Sequence, residues 1–171
     1  MSAEKKKTTP LGKSEGAEPE RFIPDGMGMF QRNVKRIGDC ALAFLALIVF
    51  SPLFLLCYIA VKREDGGPAI FKQERIGRFG RPFNIYKFRS MRIDAEAHGA
   101  QLAKKDDDRI TPVGKVLRNL HLDELPQLFN ILAGQMSVVG PRPALWNQAD
   151  LIAERDKYGA NALVPGLTGY A

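Results

Sequence analysis

Histidine, cysteine and tryptophan are scarce in these 171 residues: two, two and one. Neither His98 nor His121 has a second His or Cys at ligand spacing, so nothing suggests a zinc-type site. Both histidines are expected at the surface or in packing roles. Cys40 and Cys57 both lie within one apolar stretch, which favours reduced, buried thiols over a disulfide. No internal repeat is visible, and no small-residue cleavage site closely follows the apolar stretch, so a secretory signal is not expected. Acidic residues are outnumbered by Lys and Arg, 19 to 25, giving a net charge of +6. That excess calls for an anionic partner: nucleic acid, a lipid surface or a phosphorylated substrate.

Residues 1–28 are poor in apolar side chains and rich in Lys, Pro and Gly, including Lys5, Lys6 and Lys7. Such a segment cannot bury enough surface to offset its ordering entropy, so a disordered tail is expected. The basic triplet suits either solvent or anionic lipid. Cys40 to Val61 is the opposite case, 22 residues without a charge. At about 1.5 Å per residue, such a helix would reach roughly 33 Å, enough to cross a bilayer. Two features complicate a simple span. Lys35 and Arg36 precede the run and Lys62 and Arg63 follow it, so both ends carry the charges expected on the cytoplasmic side. Ser51-Pro52 falls near the middle, where proline removes a backbone hydrogen bond and bends a helix. A bent helix entering and leaving by one leaflet meets both constraints, while a straight span meets only the length.

After the turn at Glu64-Asp65-Gly66-Gly67-Pro68, Ala69–Ile76 and Phe83–Arg89 are expected as short strands or extended arms. Lys72, Arg75, Arg78, Arg81, Lys87, Arg89 and Arg92 alternate there with Phe71, Ile76, Phe79, Phe83, Tyr86 and Phe88. Alternating cations and rings suit a headgroup-level surface or single-stranded nucleic acid. The adjoining apolar helix favours the first, and no nucleic-acid partner is expected. Residues 94–105 are expected as a polar surface helix. Asp106-Asp107-Asp108 is expected as a solvated loop rather than a metal site, since successive side chains point apart.

Leu125, Leu128, Phe129 and Leu132 recur at helical spacing, with Pro126 tolerable only in a first turn and Gly134 as a stop. This predicts a short helix with Asp123 near its N-cap and Glu124 beside it, where unpaired N–H groups would keep a carboxylate ionised and let a phosphate dock. Simple capping is the plainer role for Asp123. Further on, Arg142 stands between Pro141 and Pro143, whose fixed φ angles aim one guanidinium. A phosphate contact and a structural salt bridge both remain open for it. Trp146–Tyr158 is expected as an amphipathic helix and Pro165–Gly169 as a Gly-rich loop.

As a set, these segments resemble the monotopic phosphoglycosyl transferases, the bacterial sugar transferase family that begins lipid-linked glycan assembly. The resemblance runs from about Lys35 to Ala171. It is carried by Lys35-Arg36-Ile37-Gly38-Asp39, Ser51-Pro52, Phe71-Lys72-Gln73-Glu74-Arg75-Ile76-Gly77, Tyr86-Lys87-Phe88-Arg89-Ser90-Met91 and Arg109-Ile110-Thr111. Leu122-Asp123-Glu124-Leu125-Pro126-Gln127, Met136 to Pro143, and Pro165-Gly166-Leu167-Thr168-Gly169 complete it.

The resemblance implies an α+β, mostly helical chain in three parts. These are the tail (1–28), a re-entrant membrane helix broken at Ser51 and Pro52 (29–66), and a small cytosolic catalytic domain with short strands and amphipathic interfacial helices (67–171). It implies transfer of a sugar phosphate from a UDP-sugar to polyprenyl (undecaprenyl) phosphate with release of UMP. That is a first membrane step of exopolysaccharide, O-antigen lipopolysaccharide or glycoprotein glycan assembly, at the cytoplasmic face of the bacterial inner membrane. Asp123 matches the nucleophile, and Glu124 matches a residue that helps hold Mg²⁺. Lys87, Arg89, Arg118 and Arg142 are expected to meet substrate phosphates. Membrane lipid is an expected partner, and a homodimer is compatible with the sequence. The family usually continues past Thr168-Gly169 with a further Arg-bearing segment, so the C-terminal part is expected to be missing here. A non-catalytic, membrane-anchored fragment or partner of such an enzyme is the alternative.

Overall fold

A computed structural model describes residues 26–95 and 107–169. The predicted tail up to residue 25, His98 and most of the predicted 94–105 helix lie outside the described residues. Two helices open the fold, α1 (Met29–Val49) and α2 (Ser51–Asp65), bent by 66° at Phe50. The cause of the bend is local. Pro52 has no N–H for the carbonyl of Ile48, and the Ser51 hydroxyl donates to that oxygen instead at 2.8 Å. Ser51-Pro52 therefore breaks the helix where the sequence placed the break. α2 ends at Gly66, whose φ of 73° lies in the left-handed region that closes helices.

A hairpin follows: β1 (Ile70–Ile76) and β2 (Pro82–Phe88) pair antiparallel from Ile70 opposite Phe88 to Ile76 opposite Pro82. The remaining elements are α3 (Pro112–Asn119), a 3-10 turn (Leu122–Glu124), α4 (Gln127–Leu132), β3 (Ser137–Val139), β4 (Ala144–Leu145), α5 (Ala149–Lys157) and β5 (Gly166–Thr168). β4 adds to the free edge of β1, giving the order β2-β1-β4, while β3 and β5 form a separate parallel pair. The mixture of helices with small sheets agrees with the α+β expectation. No single described helix is long and apolar enough to cross a membrane, whereas the bent α1–α2 pair passes together on length and composition.

Each arm of the bent pair gives one face to a core cluster. From α1, Ala43 packs with Ile85, Leu128, Ile131 and Met136. From α2, Cys57 and Val61 pack with Ala69, Phe88 and Leu117. Fully burying a Val, Leu, Ile, Phe or Met side chain contributes about 1.5–3 kcal/mol. The opposite faces stay uncovered: Phe44, Leu45, Ile48, Val49, Leu55 and Leu56 are each more than half exposed. The two cysteines are free, Cys57 buried and Cys40 partly so.

α3 is docked by its first turn. Thr111 caps it by accepting from the Gly114 N–H at 3.0 Å, and Glu64 of α2 accepts from the Val113 N–H at 3.0 Å. Gly114 presses on Ser90 so closely that a Cβ would sit 2.0 Å from the Ser90 carbonyl oxygen. Backbone cannot yield as a side-chain tip can. Gly114→Ala is therefore expected to destabilise the chain by about 1–3 kcal/mol, read as a lowered unfolding midpoint in denaturant.

Candidate active site

Asp123 and Glu124 lie on the 3-10 turn between α3 and α4, at the floor of a cleft of about 460 Å³. The turn begins at His121, held in the left-handed region at φ 56°. The expected N-cap position is not what the backbone builds. Leu125 and Pro126 already have helical angles, Pro126 immediately precedes α4, and the side chain of Asp123 caps nothing. Asp123 therefore stands one turn ahead of a short helix, and its setting is governed by burial and neighbouring charges.

Those neighbours separate the two carboxylates. Glu124 accepts from Lys87 Nζ at 2.8 Å and from Arg142 Nη2 at 3.0 Å, both on the same Oε1. Burial pushes its carboxyl up, but Lys87 and Arg142 together outweigh that and hold it below the usual glutamate range. Asp123 makes no side-chain hydrogen bond to another described residue. Its carboxyl is lifted above the usual aspartate value because burial dominates and Glu124 adds repulsion, against the opposing pull of Lys87 and Arg118. One carboxylate is clamped between cations, and the other is left open to the cleft.

The four expected phosphate-binding cations all line this cleft, with different partners. Lys87 is bound to Glu124. Arg142 pairs with Glu124 while its side chain stays 57% exposed, so the guanidinium is both bridged and reachable. Its backbone carbonyl accepts from Arg155. Arg118 Nε donates to Ser90 Oγ at 2.8 Å. Arg89 is the exception: only 8% of its side chain is exposed, and it is ion-paired with Asp65 at the end of α2. Arg89 thus ties the bent helix pair to the end of β2, a structural contact at the wall of the cleft. No group of three or more metal-ligating side chains occurs among the described residues, of which Asp106 is not one. Asp107 instead holds the backbone and guanidinium of Arg109.

Several residues that shape the cleft carried no sequence signal. Asn130, fully buried, accepts from the Tyr86 N–H at 3.0 Å and donates to the Asn84 carbonyl at 2.7 Å and to Gln135 Oε1 at 2.8 Å. It bolts α4 to β2 next to Lys87. Phe54 of α2 packs tilted at 4.8 Å on Phe88 and at 5.8 Å edge-on to Phe129 of α4, adding α2 to the same two elements. The segment leading to Arg142 and the Pro165–Gly169 segment expected as a loop interlock as β3 and β5. There a Cβ on Gly140 would lie 2.4 Å from the Val164 carbonyl oxygen, and Gly166 N–H donates to the Pro141 carbonyl at 2.9 Å. That locking sets the path of Arg142. Of the predicted 146–158 helix, Ala149–Lys157 is α-helical, and Trp146 precedes it, exposed.

The family model for bacterial sugar transferases matches residues 30–171. The chain is 46% identical over 143 residues to a UDP-N-acetylgalactosamine-undecaprenyl-phosphate N-acetylgalactosaminephosphotransferase of Aeromonas hydrophila, covering 81% of this chain and 33% of that one. It is 45% identical over 139 residues to a UDP-glucose:undecaprenyl-phosphate glucose-1-phosphate transferase of Caulobacter vibrioides, covering 80% and 52%. It is 41% identical over 166 residues to the exopolysaccharide production protein ExoY of Rhizobium meliloti, covering 86% and 73%. The chain thus spans about a third and about half of the first two relatives. The sugar-transferase motifs read in the sequence and the match across residues 30–171 agree, and the chain belongs to the bacterial sugar transferase family.

Proposed function

We propose that this chain carries the catalytic part of a phosphoglycosyl transferase that moves a sugar phosphate from a UDP-sugar to polyprenyl phosphate. The observation that carries the reading is the division of labour in the dyad: Asp123 unpartnered in a cation-walled cleft, Glu124 clamped by Lys87 and Arg142. An Asp123 carboxylate oxygen attacks the sugar-bearing phosphorus. The new O–P bond forms as the bond to UMP breaks, and the electron pair leaves on UMP. A phosphate oxygen of the polyprenyl phosphate then attacks the same phosphorus, and the Asp123–phosphorus bond breaks to restore the carboxylate. Splitting the transfer this way turns a three-body encounter into two displacements. Lys87, Arg118 and Arg142 face the charge that the substrate brings, in a site that is already organised.

The acidic donors also suit Mg²⁺. That ion takes one or two carboxylates and completes its oxygen shell from phosphates and water. The Glu124 oxygen not used by Lys87 and Arg142 would help hold it, and it would supply further neutralisation of phosphate charge. The membrane part of the reading rests on α1–α2, bent, apolar on its outer faces, and flanked at both ends by cations. On this reading the cleft lies at the cytoplasmic face of a bacterial membrane, where a polyprenyl phosphate headgroup would sit.

The experiment is release of UMP from a UDP-sugar in detergent or vesicles containing polyprenyl phosphate. Release is expected only with membrane-like surroundings and Mg²⁺. Binding of the UDP-sugar without release, with or without acceptor, would instead support a non-catalytic fragment. The dyad also sets a pH profile. Asp123 attacks only when ionised, and its carboxyl is raised, so the acid limb of activity should lie above the ordinary aspartate range. Lys87 is the strongest group pulling it down. Lys87→Gln should therefore move that limb to higher pH, besides slowing the reaction; an unmoved limb would separate the titrating group from Asp123.

A further inference from the structure

A second cleft of about 490 Å³ shares no lining residue with the first. It lies between the N-terminal half of α1, β3 and the Ala162–Val164 segment that follows the 3-10 turn Ala160–Ala162. Its charges do not cancel. Lys35 is matched by Asp39 at 2.9 Å, both gathered around the Ser137 hydroxyl. Among the described residues Arg36 meets only carbonyls, those of Ile131 at 2.6 Å and Leu132 at 3.0 Å. Arg78 donates to the Ala162 carbonyl at 3.0 Å and lies over the Phe79 ring. Neutral oxygens orient these guanidinium groups without neutralising them. The cleft is also placed by depth. Asp39 is the last charged residue before the uncharged run that begins at Cys40, so the cleft opens where α1 turns from polar to apolar. Met29 and Val139, 80% and 60% exposed, give its rim an apolar side.

The geometry points to this cleft as a seat for the headgroup phosphate of an anionic phospholipid. The phosphate faces Arg36 and Arg78, and the acyl chains run along the exposed side of α1. A lipid held there is structural, clamping α1 against β3–β5. The seat rests on α1–α2 lying in a membrane, and it does not depend on the transfer chemistry. Attraction of this kind is worth about 1 kcal/mol per cation near the surface and is screened by salt.

The test uses the full chain in neutral detergent with fluorescent phosphatidylglycerol as probe. Saturable binding is expected, displaced by unlabelled phosphatidylglycerol but not by phosphatidylcholine. Arg78→Gln should weaken it about five-fold, the loss of one such cation. Asn33→Asp, at an exposed position on the cleft wall, adds a negative charge without changing shape and should weaken binding by a similar factor at an unchanged unfolding temperature. If Arg78→Gln does not fold, Asn33→Asp decides. Equal displacement by phosphatidylcholine, equal displacement by water-soluble glycerol phosphate, or wild-type binding by Asn33→Asp would overturn the assignment. Flotation of the wild type with pure phosphatidylcholine vesicles separates the two readings. Failure to float removes the membrane placement of α1–α2; flotation without headgroup preference removes only this seat.

Discussion

Asp123→Asn is expected to reduce UMP release to less than roughly 10⁻³ of the wild-type rate, with the fold and UDP-sugar binding retained. The replacement preserves size and polarity, and Asp123 anchors no other described side chain, so nothing structural should follow its loss. What it removes is the anionic oxygen. An amide has no comparable lone pair to give to phosphorus, and no neighbouring group in the cleft is placed to substitute. Glu124 is the nearest carboxylate, but its Oε1 is bound to Lys87 and Arg142, and its basicity is lowered by them. The raised basicity of Asp123 points the same way, since a more basic carboxylate gives its electron pair more readily once ionised. Burst kinetics with the wild type and their absence in Asp123→Asn would locate the defect in the first displacement. Near-normal turnover by Asp123→Asn would require another nucleophile or direct transfer.

Asn130→Leu should be the most damaging single change outside the dyad. The side chain is 0% exposed and makes three hydrogen bonds, to Tyr86, Asn84 and Gln135. Leucine is of similar volume but satisfies none of them, leaving the half-buried Tyr86 N–H and the Asn84 carbonyl of β2 without these partners. A lost hydrogen bond of this kind costs about 0.5–1.5 kcal/mol, so a loss of about 1–4 kcal/mol is expected in a denaturant titration. The effect should reach the site as well. Asn130 fixes α4 against β2, and with it the distance from the Asp123–Glu124 turn to Lys87. A shift of that distance weakens the clamp on Glu124, so the rate should fall even at temperatures where the variant stays folded. A stability change below about 1 kcal/mol would show that ordered water or repacking replaces the amide.

What could be read from the sequence was local. The bend at Ser51-Pro52 follows from one missing N–H, and the β1–β2 hairpin from alternation around a Gly-Pro connection. The pairing of Asp123 with Glu124 needs only adjacency. What could not be read depended on partners distant in the chain. A run of seven cations between Lys72 and Arg92 looked like one surface, and only the fold shows Arg89 turned to Asp65 while Lys87 turns to Glu124. Pairing Ser137 with Gly166 joins the strand before Arg142 to a segment that by itself looks like a Gly-rich loop. The N-cap assignment for Asp123 failed because Leu125 and Pro126 continue helical angles from a 3-10 turn, a continuity that spacing of apolar residues cannot reveal. Burial, which spacing does not show, then governs its pKa and raises it above the ordinary aspartate value.

Intact-mass analysis after incubation with a UDP-sugar and Mg²⁺, with no lipid acceptor present, tests the central claim most directly. The account predicts a gain equal to one sugar phosphate, mapped by peptide fragmentation to Asp123, matched by released UMP and discharged when polyprenyl phosphate is added. An active enzyme that shows no adduct, and frees UMP only when acceptor is present, would contradict it.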